Sequence, residues 1–457
     1  MWGAATHDRS TGIHRPLEAA AMAFAPSSEA SGQPTFVLIA LDHCLFWPVE
    51  IERVKQAIHT ATGLNEHDFL ITFSHTHGAG LMDPSRNHLP GGELIEPYLD
   101  ALCQNLGKLA AEAIRALEPV TMVYGAGRCN LAQHRDFWDE ATQQFVCGYN
   151  PGGPVDDAVI IARVTNESGR LVATIVNYGC HPTTLAWENT LISPDYPGAL
   201  RETVENVTGA PCVFLLSPCG DVGPKEGQQG DVAVADRNGR QLGYAALSAL
   251  ESLPPPQTQF MYRGPVISGA TLGDWRHEPM TSIQRLRAAD VRLRRLTVPL
   301  PYRPDRPTVA ELEAERARFL ADEQAAHRAG DSLKTRDCRA FVERLTRAIT
   351  KWSSVPAGDA FPYVVNMLKL GEAIWLTFEG EPYQLLQTEL RRRFPHVPLV
   401  MSVMGDGWRA SYLPRKESYG HGIYQETVSI LAPGSLEQLI DAVSREIEAT
   451  EQSAGDG

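Results

Sequence analysis

Two histidines one residue apart, His75 and His77, sit in the stretch SHTHGAG that begins at Ser74. The apolar run before them (Phe69, Leu70, Ile71, Phe73) has the length and content of a buried strand, and the glycines end it at once. Side chains alternate along an extended segment, so both imidazoles would lean to one side at the strand's carboxyl end, where α/β proteins place ligands. Two imidazoles there point to metal or proton chemistry. The plainer alternative is a pair of strand-end histidines bonded to backbone carbonyls.

The pattern recurs along the chain. Cys180-His181-Pro182 follows the run Val172 to Val176, and Cys219-Gly220-Asp221 follows Val213 to Leu216. Glu379 and Glu381 follow Ile374 to Phe378, and Gly405-Asp406-Gly407 follows Leu399 to Val403. If these runs share one sheet with their carboxyl ends together, the clusters meet at one edge and form a single site. Neutral imidazoles and a carboxylate suit zinc, which takes about four ligands and in catalytic sites keeps one position for water. Serine catalysis fits less well, because the chain has no GxSxG elbow. The HxHxDH pattern of metallo-β-lactamases also fails, since Ala79 stands where its aspartate is required.

The elements that must position these residues follow from periodicity. Phe36 to Leu41 reads as a strand, Val49 to Thr62 as a helix closed by Gly63, and the run through Phe73 as the second strand of a βαβ unit. Glu93 to Leu117 is a longer amphipathic helix, followed by strands at Val120 to Tyr124, Ala158 to Val164 and Leu171 to Asn177. A helix from Tyr196 leads to the strand Cys212 to Leu216, and residues 235 to 252 are helical until Pro254-Pro255-Pro256. Val291 to Pro299 is strand-like, and two charged helices, Thr308 to Ala329 and Lys334 to Trp352, form a solvated hairpin within an insertion spanning residues 263–355. Strands resume at Tyr363 to Leu370, Ala373 to Phe378 and Leu399 to Val403, with helices at Tyr383 to Phe394 and Ser435 to Glu448. The fold class is α/β: a mixed, largely parallel sheet sandwiched by helices, with the helical hairpin inserted, in a single domain over residues 1–457.

Composition narrows the function. The 457 residues are 43% hydrophobic and 21% charged, as in an ordinary globular protein, and can bury a large core. A net charge of -14 argues against a nucleic-acid partner, which needs clustered Lys and Arg. The eight cysteines form no CxxC pair, so thiolate zinc and a dense disulfide framework are not indicated. No apolar run reaches the ~18 residues of an integral membrane segment. The expected location is cytoplasmic, or secreted if the N-terminus is incomplete.

Six stretches in order resemble the neutral (alkaline, non-lysosomal) ceramidase superfamily: SHTHGAG at Ser74, NYGCHPTTL at Asn177, NTLISPDYPGAL at Asn189, PCGDVGP at Pro218, EGEPY at Glu379 and SYLPRKESYGHGIYQE at Ser411. GIHRPLEAAAMAF and NPGGPVDDAV are similar to its opening element and mid-domain turn. The resemblance implies Zn²⁺ held by His75, His181, Glu381 and Tyr412. It implies that His77 and Tyr424 contact the substrate carbonyl, and Arg135 is the most plausible match to the family's mid-domain arginine. Asp195 and Asp221 are expected to orient histidines or cap helices, Glu379 to be incidental or substrate-facing, and His14, His43 and His134 to be structural. The serine sometimes proposed as catalytic in that family is Gly223 here, and the C-terminal β-sandwich is absent, so the pattern fits a short bacterial member.

The resulting expectation is a zinc-dependent hydrolase of a carbon-nitrogen amide bond, acting on an N-acyl compound or small amide. The alternatives are a zinc esterase or lactonase, and a catalytically silent metal-bound interaction module.

Overall fold

The apolar runs form strands within a residue or two of where periodicity predicts their ends on the site-bearing side, but they are distributed over three sheets. The computed structural model describes residue 5, residues 7–26 and residues 35–455. The first sheet places Phe36–Leu41 between an antiparallel partner, Ala19–Phe24, and a parallel one, Phe69–Phe73. In the second, Leu171–Tyr178 pairs parallel with Cys212–Leu216 and antiparallel with Ala158–Asn166, which pairs in turn with Val120–Arg128. In the third, Ala373–Phe378 pairs parallel with Leu399–Ser402 and antiparallel with Ala360–Leu370, which is bordered by Val291–Pro301.

The mixed α/β class therefore holds, with a different balance from one largely parallel sheet. Each sheet contains one parallel pair, and it is the parallel pairs that end at the site. The reason is connectivity. Parallel neighbours need a crossover, here supplied by helices Pro48–Thr62, Tyr196–Thr208 and Leu385–Arg393, whereas antiparallel neighbours need none, as where Ala158–Asn166 turns directly into Leu171–Tyr178 and Ala360–Leu370 into Ala373–Phe378.

Facing sheets share an apolar layer that includes Phe36, Leu70, Ile175, Val213, Leu368 and Trp375. The opposite faces pack against helices through residues such as Ile39, Ile71, Phe214 and Leu376. Burial on both faces explains why these strands read as continuous apolar runs with no polar alternation. Polar stitches join the sheets: the Asn177 amide donates to the carbonyls of Leu215 (2.9 Å) and Met401 (2.6 Å), and Val403 N–H donates to Leu216 O (3.0 Å). The carboxyl ends of strands from different sheets are thereby held together.

Helices Val309–Ala329 and Ser332–Ser354 form the expected hairpin, turned at Gly330 and stacked through Phe319 and Phe341 at 4.7 Å. It leaves and re-enters between two paired strands, at Pro301 and Ala360. The stretch 263–355 contains more than a helical arm. Val291–Pro301 is a full member of the third sheet, and Thr258–Ile267 pairs with Thr271–Pro279 as a separate β-hairpin. The second helix is also less solvated than its charge content implies, since it buries Cys338, Leu345 and Lys351. No described helix is long and apolar enough to cross a membrane.

Candidate metal centre

His75 leaves its strand through a strained turn. The strand ends at Phe73, and His75 adopts φ +62°, a left-handed conformation costing a β-carbon residue about 1–2 kcal/mol. The alternation argument thus fails for this pair, because the segment is no longer extended at His75. The turn, not a period of two, directs its ring inward, and the His77 ring lies 5.0 Å away. The other non-glycine residues with positive φ include Asp195, Met404, Asp406 and Ser411, which cluster in segments leading to the same region. Strain of this kind persists where the surrounding structure over-determines it, typically at functional sites.

His75, His181 and Glu381 converge. Nε2 of His75 lies 3.1 Å from Nε2 of His181, and Glu381 Oε2 lies 3.4 Å and 3.0 Å from those two atoms. All three residues are at most 4% exposed, so water cannot dilute their interaction. The far side of each ring is committed. His75 Nδ1 donates to Cys44 O at 2.6 Å, and His181 Nδ1 donates to Cys219 O at 3.1 Å. That tautomer leaves each Nε2 with a lone pair pointing at the other and at a carboxylate oxygen. Three acceptors packed this closely call for a proton or a metal cation between them.

The electrostatics agree. Burial would raise the Glu381 carboxyl, but the adjacent imidazoles outweigh it and hold the group well below the usual carboxylate range. Burial would lower His75, but Glu381 outweighs it and holds the ring well above its ordinary value. His181 is pushed down to about 4 by burial and then by Arg135, which keeps it neutral. His77 is driven well below its ordinary value by burial, with His75 and His181 adding to the effect.

The two segments carrying Glu381 and Tyr412 meet as a short parallel bridge, with Glu381 N–H donating to Ser411 O at 2.8 Å. This approach requires Gly380. Its φ is +63°, and a β-carbon there would stand 2.2 Å from Ser411 O. Tyr412 is buried with its ring parallel to that of His181, at a centroid separation of 6.4 Å, and its hydroxyl interacts with the Glu381 carboxylate. Tyr424 lies 5.8 Å from the Tyr412 ring, and the Arg135 guanidinium lies 5.4 Å above it. Arg135 is buried, donates through Nη2 to Gly220 O at 2.6 Å, and leaves Nε without a partner among the described residues. The seven residues assigned to the expected site are therefore neighbours: the three converging residues with Tyr412 against them, and His77, Tyr424 and Arg135 around these four.

Other expectations shift. Neither aspartate holds His75 or His181, whose Nδ1 atoms are taken by backbone carbonyls, but the other expectation, helix capping, is met by Asp195. Asp195 caps helix Tyr196–Thr208, accepting from Tyr196 N–H at 2.6 Å, and also accepts from Leu185 N–H at 2.8 Å. Asp221 accepts from Gln384 N–H at 2.8 Å and faces His134. Glu379 is buried, and its Oε1 accepts from Arg409 at 3.1 Å. His14 and His43 bond Ser193 and Tyr98, as structural histidines do.

One contributor was absent from the sequence reading. Trp408 Nε1–H donates to Glu381 Oε1, which leaves Oε2 as the oxygen turned to the imidazoles. A lone tryptophan in a glycine- and serine-rich loop carries no signal for such a role. We expect Trp408→Phe to weaken metal affinity about 10–100-fold, the usual cost of removing a group that orients a ligand. Competition with a fluorescent zinc chelator measures this; an unchanged Kd would mean that Glu381 does not depend on the indole.

The donor set fits a divalent cation of the zinc type: two imidazole nitrogens, a carboxylate oxygen and an adjacent phenol, all buried. Two solved structures share the fold. Neutral ceramidase from Pseudomonas aeruginosa superposes with a TM-score of 0.62 at 14% identity, covering 97% of this chain and 69% of that one. A ceramidase complexed with C2 gives 0.64 at 15% identity, covering 98% and 72%. No protein-family model matches the sequence, and no characterised relative matches it at a significant level. This chain shares its fold with these two structures.

Proposed function

We propose that the chain is a metal-dependent hydrolase that cleaves the carbon-nitrogen amide bond of an N-acyl compound, with zinc as the ion. The observation that carries this reading is the buried convergence of His75 Nε2, His181 Nε2 and Glu381 Oε2, with both Nδ1 atoms already committed to carbonyls. The shared architecture with two ceramidase structures supports amide chemistry over other uses of such a centre.

His75, His181, Glu381 and Tyr412 would hold the ion. A bound zinc supplies Lewis acidity and lowers the pKa of an attached water to about 7. Around it the chain provides the rest. Burial and flanking histidines keep His77 neutral, so its imidazole can take up a proton and return it to the departing amine. Arg135, with one buried N–H unpaired beside Tyr412, and the Tyr424 hydroxyl can donate to the oxygen that gains charge when the carbonyl is attacked. Loss of one such donor typically lowers kcat by about 10²–10³.

Metal analysis combined with a panel of acyl amides and matched esters tests the reading. The expected result is about one zinc per chain, with amide turnover lost on chelation and restored by zinc. Zinc bound without turnover of any acyl amide would favour a silent interaction module, and turnover confined to esters would favour an esterase.

A further inference from the structure

Beside Trp408 and Tyr424, which are part of its lining, the helical hairpin borders a cavity of ≈ 270 Å³. Helix Ser332–Ser354 contributes Phe341, Arg344, Arg347, Lys351 and Trp352 to its walls. The space is at or below the lower end of pockets that hold drug-sized ligands, about 300–1,000 Å³.

Its charge is unbalanced. Two arginines and the amine of Lys351 line the cavity against one carboxylate, Glu315, which pairs with Arg318 at 3.5 Å. Arg344 donates to the Thr427 hydroxyl at 2.8 Å and lies 5.7 Å from the Tyr424 ring, and it forms no ion pair with a described carboxylate. Arg347 has only a distant contact, 3.9 Å, with Glu343, and that carboxylate is already held by both arms of Arg86 at 3.1 Å and 2.8 Å. Lys351 is 2% exposed, donates to the Val428 carbonyl and to Ser411 Oγ (3.4 Å), and lies 5.2 Å above the Trp408 ring, again without a described acidic partner. Cations gathered in a confined space without counter-charges are costly unless an anion joins them. The planar guanidinium of Arg344 is suited to a carboxylate.

We infer that this cavity seats an acidic group, a carboxylate or an anion of similar size, carried by the amide substrate, and that Arg344 determines the specificity for it. The inference rests on the amide-hydrolase reading above and narrows its substrate to acidic N-acyl compounds. Trp408 and Tyr424 link the two halves of the site. Each lines the cavity, and each also touches a residue of the metal group, Glu381 for Trp408 and Tyr412 for Tyr424.

The test uses two acids with opposite polarity across the amide, N-hexanoyl-β-alanine and the mono-hexylamide of glutaric acid, each against its neutral alcohol counterpart. The zinc-loaded protein is expected to favour one acid over its alcohol by about 10-fold or more in kcat/KM, the worth of one charge-assisted hydrogen bond. Which acid shows the preference says whether the charge lies on the amine or the acyl side. In Arg344→Gln the ratio is expected to fall to about 1, with Arg347→Gln as the second variant should the first not fold. Equal turnover of acid and alcohol by the unaltered protein, or a preference that survives both variants, overturns the anion pocket and leaves amide hydrolysis standing. If no amide is turned over, the amide reading falls and calorimetry decides the pocket. Heat of binding for the acids but not the alcohols, lost in Arg344→Gln, supports it; absence of that heat overturns it.

Discussion

His75→Ala and His181→Ala are each expected to abolish metal retention and amide turnover while leaving a folded chain. The metal-binding free energy of a structural zinc site is on the order of 10–16 kcal/mol over four ligands, so one ligand carries roughly 3 kcal/mol, a factor of ~10² or more in affinity. The loss cannot be made good locally, because the remaining Nδ1 atoms are tied to the carbonyls of Cys44 and Cys219. The control is stability. Without metal, the wild type holds His75, His181 and Glu381 within 3.4 Å of one another, with the proton on the raised His75 ring balancing Glu381, so each variant is compared with its own metal-free form. With zinc at about 1,000 times Kd the wild type gains ~4 kcal/mol by mass action, and the variants do not. Unfolding curves with and without zinc measure the difference. A variant that still gains stability from zinc, or keeps normal turnover, would remove that histidine from the centre.

Lys351→Met is expected to stabilise the protein, and more so at neutral than at alkaline pH. Burial, with Arg303, Arg344 and Arg347 adding to it, lowers the Lys351 ammonium from 10.5 to about 7. Between those values the unfolded chain binds the proton and the folded chain does not, so stability rises with pH across the window and the lysine's contribution is lost as pH falls through about 7. Over the two units from pH 7 to pH 9 the change is about 2–3 kcal/mol at 1.36 kcal/mol per unit. The methionine variant lacks this dependence, so its advantage over the wild type should shrink by about that amount between pH 7 and pH 9. Denaturant titrations at the two pH values decide the matter, and an advantage independent of pH would mean that the lysine is not desolvated. A buried amine kept at such a cost fits a role in binding, where stability is commonly given up for function.

The legible part of the site was the part written in contiguous residues. Apolar runs ending in His75, His181 and Glu381 mark strand ends, and the strands Phe36–Leu41, Phe69–Phe73, Cys212–Leu216 and Ala373–Phe378 lie where the runs predict. What the runs do not encode is pairing direction, since a strand buried on both faces reads the same in a parallel or antiparallel neighbourhood. Hence three sheets stand in place of one. The hairpin Thr258–Ile267 with Thr271–Pro279 escaped notice because its large apolar residues, among them Phe260, Tyr262 and Trp275, are exposed and give no in-out alternation. Groups that fix His75, His181 and Glu381 were equally hidden. Cys44 and Cys219 act through backbone oxygens, which every residue possesses, and Trp408 acts across 27 residues. Only the fold reveals such pairings.

X-ray absorption at the zinc edge of the loaded protein examines the centre most directly. The geometry requires one zinc whose shell contains two imidazole nitrogens at about 2.0–2.1 Å with oxygen donors completing it, and Glu381→Gln should alter that shell without removing the imidazole signal. A zinc bound with no histidine scattering, or a signal unchanged by loss of both His75 and His181, would contradict the account.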